Sequence, residues 1–333
     1  MEFNLRSRNF LKLIDFSPLE LTGLVRIASE LKREQRAKVS HQRLEGRHLA
    51  LIFQKPSTRT RSAFEVAAAE EGARLTYLGP GESHIGHKES IKDSARVLGR
   101  FFDGIEFRGF AHETLEEFAT YAGVPVWNGL TDQWHPTQAL ADAFTMLEIA
   151  RKPPSEITFC YLGDGNNNVA RSLLIMGASF GMDVRIVAPR PLWPDENVRS
   201  HATSISQQTG AKLSITESLE EGLPGVDFIY TDVWVSMGAP VSQWGARIES
   251  LLPYQVNQAA FELTGKAETK FMHCLPALHN RETEVGQELF SRFGVAELEV
   301  TDEIFESNRS VVFEQAVNRL HVVKAIMIKT LAT

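Results

Sequence analysis

Short runs of β-branched and aromatic residues alternate along the chain with longer stretches in which apolar residues recur at helical spacing. Such runs predict strands and the stretches between them predict helices, so the pattern points to parallel α/β folding. The first clear strand is expected at 48–53, and a helix at 58–71 follows, with Phe64, Ala67 and Ala68 spaced to form one buried face. A strand near 74–78, a helix near 90–101, and strands at 105–108 and 124–128 continue the first half. Residues 135–150 predict a helix with Pro136 at its first position, where a missing N–H costs nothing. Lys152-Pro153-Pro154-Ser155 then breaks the pattern and is a candidate hinge. Beyond it a strand at 157–162, a glycine turn, a helix and a strand at 184–188 start a second βαβ series, with further strands at 228–233 and 270–273. A long helical pattern at 310–331 closes the chain. The expectation is two doubly wound parallel-sheet domains, residues 1–150 and 151–318, with an active site in the cleft between them.

Composition narrows what such a molecule can do. At 333 residues the chain exceeds the size at which single cores stop growing, about 250–300 residues, which agrees with two domains. Hydrophobic residues make up 43% and charged residues 23%, ordinary values that exclude disordered and fibrous classes. A net charge of −7 disfavours nucleic acid and anionic membranes as general partners, so an anionic small substrate needs local basic residues. Cys160 and Cys274 are too few for a disulfide framework and imply a reducing compartment. The first residues mix Arg, Lys and Asp among apolar ones, unlike a signal peptide, and no stretch approaches the about 20 apolar residues of a membrane helix. A cytoplasmic protein is expected.

Candidate chemistry gathers at predicted strand ends. Ser57-Thr58-Arg59-Thr60, between a strand and a helix, lets Ser57 cap free N–H groups while Arg59 reaches an anion at the helix N-terminus. It lacks the GxxxxGK[ST] loop that wraps a nucleotide triphosphate. His135-Pro136-Thr137-Gln138 also opens a helix after a strand, and Arg108 falls at the carboxyl end of its strand. Asp232-Val233-Trp234-Val235-Ser236-Met237-Gly238 places an exposed Trp and Met beside a glycine, as in a loop that packs down on something. His273-Cys274-Leu275-Pro276 puts a thiol next to a proline turn. Each taken alone has a bland reading: a capped helix, a surface ion pair, a simple turn, a core loop, a structural cysteine.

In this order, and over nearly the whole chain, the STRT, HPTQ, DxWxSMG and HCLP motifs resemble those of the carbamoyltransferases, and the SMG and HCLP forms resemble the ornithine-using branch. The resemblance implies transfer of a carbamoyl group from carbamoyl phosphate to the side-chain amine of ornithine, with no metal and no organic cofactor. It implies that Ser57, Thr58, Arg59 and Thr60 hold the phosphate, that Arg108 spans the phosphate and the carbonyl oxygen, and that Arg319 is the remaining arginine of the carbamoyl-phosphate site. It places His135 at the carbonyl oxygen, Gln138 by the carbamoyl nitrogen, and Cys274 with the Leu275 carbonyl by the reacting amine. Asn168, Asp232, Ser236 and the Met237 backbone are implied to grip the amino-acid end of ornithine. A homotrimer or an assembly of trimers is implied, as is a closing helix, about 319–333, that returns to the first domain.

The chain departs from the family pattern at three places. His84 stands where glutamine usually reaches a neighbouring subunit's carbamoyl phosphate, Gln54 replaces a common glutamate, and Pro56 stiffens the cradle. A histidine with a reference pKa of about 6.5 would make phosphate binding sensitive to pH. Putrescine or an acetylated ornithine as acceptor is disfavoured by the SMG loop, which matches a free amino-acid end. A dinucleotide-dependent oxidoreductase is suggested by Leu162-Gly163-Asp164-Gly165-Asn166-Asn167-Asn168, but the third glycine is missing and no acid ends the next strand. A catalytically silent homologue is disfavoured by Arg59, Arg108, His135, Asp232 and Cys274 all being present. Biosynthetic and catabolic directions use one site and are not distinguished by sequence.

Overall fold

The computed structural model describes residues 3–83, 85–234, 242 and 244–331. The chain divides into two compact units, one of Met1–Thr145 with Ala316–Thr333 and one of Met146–Gln315. In unit 1, the strands β1 (His48–Phe53), β2 (Arg74–Leu78), β3 (Gly104–Arg108) and β4 (Val126–Leu130) form a parallel sheet in the order β2-β1-β3-β4. In unit 2, β5 (Thr158–Leu162), β6 (Asp183–Val187), β7 (Lys212–Thr216), β8 (Phe228–Thr231) and β9 (Lys270–His273) form a second parallel sheet, ordered β7-β6-β5-β8-β9. Parallel strands need helical crossovers that cover the sheet, which is why β1 reads as an almost unbroken apolar run with only His48 exposed.

Each sheet winds outward in both directions from an inner strand, and the change of direction opens a crevice at the strands' carboxyl ends. In unit 1 this switch lies between β1 and β3; in unit 2 it lies between β5 and β8. The helices that start at these switch points are α2 (Thr58–Glu70) after β1 and α6 (Asn168–Phe180) after β5. The helix α5 (Pro136–Ala150) follows β4, and the last helix, here α8 (Val312–Leu331), ends the described chain. The division between units falls inside both of these last helices.

The core of unit 1 joins Ile52, Ile105, Phe107 and Val126 of the sheet to Ala95 of α3 (Ile91–Phe101) and to Leu115 and Phe118 of α4 (His112–Ala122). The two helices approach closely because Gly99 has no Cβ; one there would lie 1.7 Å from the Ala122 carbonyl oxygen. Within unit 1, α8 is fixed by polar contacts as well as apolar ones. Trp127 Nε1 donates to Thr330 Oγ1 at 3.0 Å, and Lys32 Nζ donates to Asn318 Oδ1 at 2.7 Å. Loss of the Thr330 acceptor would strand a buried donor, at a cost of about 1–3 kcal/mol. Unit 2 packs Leu162, Val187, Ile229 and Phe271 of its sheet against Phe261 and Phe305.

Several bounds differ from those expected from sequence. The fourth strand begins at Val126 rather than 124, and the strand expected to reach 233 ends at Thr231, leaving Asp232 just beyond it. Trp234, read as exposed, is 1% exposed and packs with Trp244, Ile248 and Leu251. An N-terminal helix, α1 (Pro18–Arg36), goes beyond the expected elements, although Ser17 and Glu20 form a capping box at its start.

Candidate functional site

The crevice of unit 1 gathers cationic side chains around one hydroxyl. Ser57 caps α2, its Oγ accepting from the Thr60 N–H at 3.2 Å, which turns the first N–H groups of that helix outward from the end of β1. Thr60 is fully buried, and its Oγ1 accepts from Arg319 Nη2 at 2.7 Å and from Arg108 Nη1 at 3.3 Å. Arg319 Nη2 also donates to the Gly129 carbonyl at 3.4 Å. Thr58 is exposed and Arg59 half-buried on the same turn.

His135, immediately before α5, is 3% exposed. Burial, and then the positive charges of Arg319, Arg108 and Arg59, hold its pKa well below the ordinary imidazole value. It is thus neutral at ordinary pH and keeps one N–H to donate. Gln138, a few residues on, is buried and donates to Asp142 Oδ1 at 2.8 Å. Gln54, at the end of β1, donates its N–H to the Arg108 carbonyl at 2.8 Å, and its Oε1 accepts from the Phe110 N–H at 3.3 Å. Lys55 pairs with Asp132 and lies 4.2 Å from the Phe110 ring centroid, so the loops after β1, β3 and β4 are tied together. A helix N-terminus, three guanidinium groups and a neutral imidazole in one crevice make a binding place for a compact, highly charged anion.

The crevice of unit 2 is built differently, around a carboxyl group and a thiol. Asp232 is 7% exposed, and burial pushes its carboxyl above the usual aspartate range against the opposing pull of His273, Cys274 and the Val233 N–H. Cys274 Sγ donates to Asp232 Oδ1 at 3.1 Å. Asn167 Nδ2 reaches both Tyr161 Oη at 2.7 Å and Asp232 Oδ2 at 3.4 Å. Asn168, the residue singled out from sequence, is the first residue of α6, while its neighbour Asn167 caps that helix and contacts Asp232. The turn after β9 is shaped by His273, whose Nδ1 accepts from the Leu275 N–H at 2.8 Å and holds Leu275 at φ +60°. The His273 Nε2 faces Glu299 Oε1 at 3.4 Å, both residues fully buried.

Asp232, His273 and Cys274 bring donor atoms within 4.8 Å of one another, as do His279, Asp302 and Glu306. The first trio is spoken for by the Cys274–Asp232 and His273–Leu275 hydrogen bonds. His84, Ser236 and Met237 lie outside the described residues. Two further residues of these crevices carry no motif: Glu106, fully buried beside Arg108, and Asn167. A run of three asparagines in a glycine turn was the only hint of the second.

Comparison with known proteins gives both units a family. Residues 8–148 match the model of the aspartate/ornithine carbamoyltransferase carbamoyl-P binding domain. Residues 155–330 match that of the aspartate/ornithine carbamoyltransferase Asp/Orn binding domain. Among solved structures, the ornithine carbamoyltransferase from Pyrococcus furiosus is 38% identical over 99% of each chain, with a TM-score of 0.89. The anabolic ornithine carbamoyltransferase from Campylobacter jejuni is 35% identical over 96% of this chain and 97% of its own, with a TM-score of 0.85. That from Gloeobacter violaceus is 35% identical over 99% and 100%, with a TM-score of 0.83.

Proposed function

The chain belongs to the aspartate/ornithine carbamoyltransferase family, and on that premise we propose how its residues divide the work of moving the carbamoyl group of carbamoyl phosphate to the side-chain amine of ornithine, giving citrulline and phosphate. Unit 1 takes the donor. The N-terminal turn of α2, with Ser57, Thr58, Arg59 and Thr60, holds the phosphate together with Arg319, and Arg108 spans the phosphate and the carbonyl oxygen. His135 donates to that oxygen, and Gln138 stands by the carbamoyl nitrogen. The observation that carries this reading is the meeting of Arg108 and Arg319 on Thr60, beside a histidine kept neutral.

Unit 2 takes the acceptor. Asp232 receives the α-ammonium group of ornithine, with Asn168, Ser236 and the Met237 backbone completing the grip. Cys274 and the Leu275 carbonyl face the reacting amine. Residues 1–150 and 151–318 are the two working domains, with the last helix serving the first.

Carbamoyl phosphate carries a good leaving group, so the enzyme has to position it, polarise its carbonyl and receive an uncharged amine. Charge building on the carbonyl oxygen in the tetrahedral intermediate meets Arg108 and His135. The free amine has a pKa of about 10.4, so the rate rises with pH as more of it loses its proton. Collapse of the intermediate expels phosphate, which takes up the amine's proton and leaves no obligatory protein base. We further propose a cytoplasmic homotrimer, or an assembly of trimers, in which residue 84 serves a neighbouring copy. No helix among the described residues is long and apolar enough to cross a membrane.

The deciding experiment is a steady-state assay with carbamoyl phosphate and either ornithine or putrescine, together with the reverse reaction from citrulline and phosphate. Citrulline formation from ornithine, with little turnover of putrescine, is expected. Preference for putrescine, or no product in either direction, would overturn the reading.

A further inference from the structure

We propose that Glu106 is a proton-linked positioning residue of the donor half-site: its side chain must carry a proton for the phosphate of the donor, or of the product, to bind tightly. Glu106 lies on β3 two residues before Arg108, so both side chains leave the same face of the strand. Its carboxyl group presses on the backbone of β4. A Cβ on Gly129 would sit 1.5 Å from Glu106 Oε1 and 3.3 Å from the Thr60 γ-methyl, so only glycine leaves room for the acid there. The ladder between β3 and β4 shifts register at this point, pairing Arg108 with Leu130. Glu106 is fully buried, and among the described residues neither carboxyl oxygen has a hydrogen-bond partner.

A buried carboxylate without donors, pressed against the Gly129 backbone, is a costly ion. Burial raises its pKa well above the ordinary glutamate value, and only the attraction of Arg108 and then Arg319 works the other way. Among the described residues those are the charged groups that act on it, one from its own strand and one from α8. Its register partners, Leu51 on β1 and Trp127 on β4, and the adjoining Gly129 bring no charge. His135 shares both guanidinium groups and is itself driven to the neutral form.

The same two arginines meet at Thr60, where the anion is proposed to bind. An arriving phosphate engages them and adds negative charge close to the acid, so both effects favour the protonated form of Glu106. By linkage, anion binding takes up a proton wherever Glu106 is ionised beforehand, and affinity falls as pH rises through that range. A neutral side chain of the same shape escapes this dependence.

The inference rests on the phosphate-binding reading of unit 1, and inorganic phosphate can test it without turnover. Its affinity is to be measured by calorimetry at several pH values, in buffers of different ionisation enthalpy, for the wild type and Glu106→Gln. The wild type should lose affinity more steeply with pH than the variant, the difference approaching about tenfold per pH unit where the free acid is ionised. It should also take up as much as about one more proton per phosphate bound. The phosphate's own ionisation and His135 are common to both proteins and cancel. Parallel pH dependences would overturn the linkage while leaving the phosphate site in place. A wild-type proton count with no excess over phosphate's own ionisation does so without any variant. A wild type that binds no phosphate at any pH would overturn the binding reading as well.

Discussion

A guanidinium group meets two oxygens at once and keeps its charge at any working pH, whereas an ammonium group is a point charge on a flexible stem. Arg108, given both the phosphate and the carbonyl oxygen to serve, should therefore tolerate lysine poorly. Arg108→Lys is expected to lower kcat/KM by about 10²- to 10³-fold, the loss typical of one oxyanion donor, with kcat falling along with affinity. A variant within threefold of the wild type in steady-state kinetics would show that this side chain does not touch the reacting group. Arg108 was legible because a basic residue at the end of a predicted strand has a place to act in an open α/β sheet. Glu106, two residues earlier on the same strand, was not. Its environment is supplied by Thr60, Gly129 and Arg319, and nothing local marks three such distant residues as neighbours.

Caps show how an element can carry stability and chemistry at once. Ser57 caps α2 at the proposed phosphate site, and Asp195 caps α7 (Glu196–Thr209), accepting from the Val198 N–H at 2.9 Å. Ser57→Ala and Asp195→Ala should each cost about 1 kcal/mol of stability. Only Ser57→Ala should also raise the KM for carbamoyl phosphate, because it alone removes a hydroxyl from the anion's cradle. Unfolding midpoints and steady-state KM values check both; an unchanged KM in Ser57→Ala would reduce that hydroxyl to a cap. The strands that bury both faces were readable from their apolar runs, and the motifs at their ends with them. The edge strand β7, Lys212–Thr216, is not among the expected strands; its residues are all exposed or half-buried and mix polar with apolar types, as do those of the other edge strand, β2, which was expected. α1 carries its cap in its residues, Ser17 and Glu20, but no strand precedes it to mark it as part of the alternation.

At the scale of the whole molecule, the proposed trimer makes an imidazole of one copy a ligand of another's substrate. The enzyme should sediment at three times the 37.2 kDa chain mass or a multiple of that. His84→Gln should change the KM for carbamoyl phosphate and flatten its pH dependence near the histidine pKa of about 6.5. A monomer that is fully active, or an unaltered pH profile in the variant, would remove the proposed contact. The order in which the chain supplies its two units has a consequence for how it is made. Unit 2 is one continuous stretch, so every residue it needs has been synthesised by Gln315. Unit 1 is not complete until Ala316–Thr333 follow, and that tail brings Arg319 to Thr60 and Thr330 to Trp127. Unit 2 therefore has all its residues on one stretch of chain, while unit 1 cannot be completed without the segment that carries Arg319. A message cut short before codon 319 encodes a protein with its ornithine residues in full and its phosphate cradle short of an arginine. Truncation before residue 319 should thus weaken phosphate binding far more than it disturbs the ornithine residues.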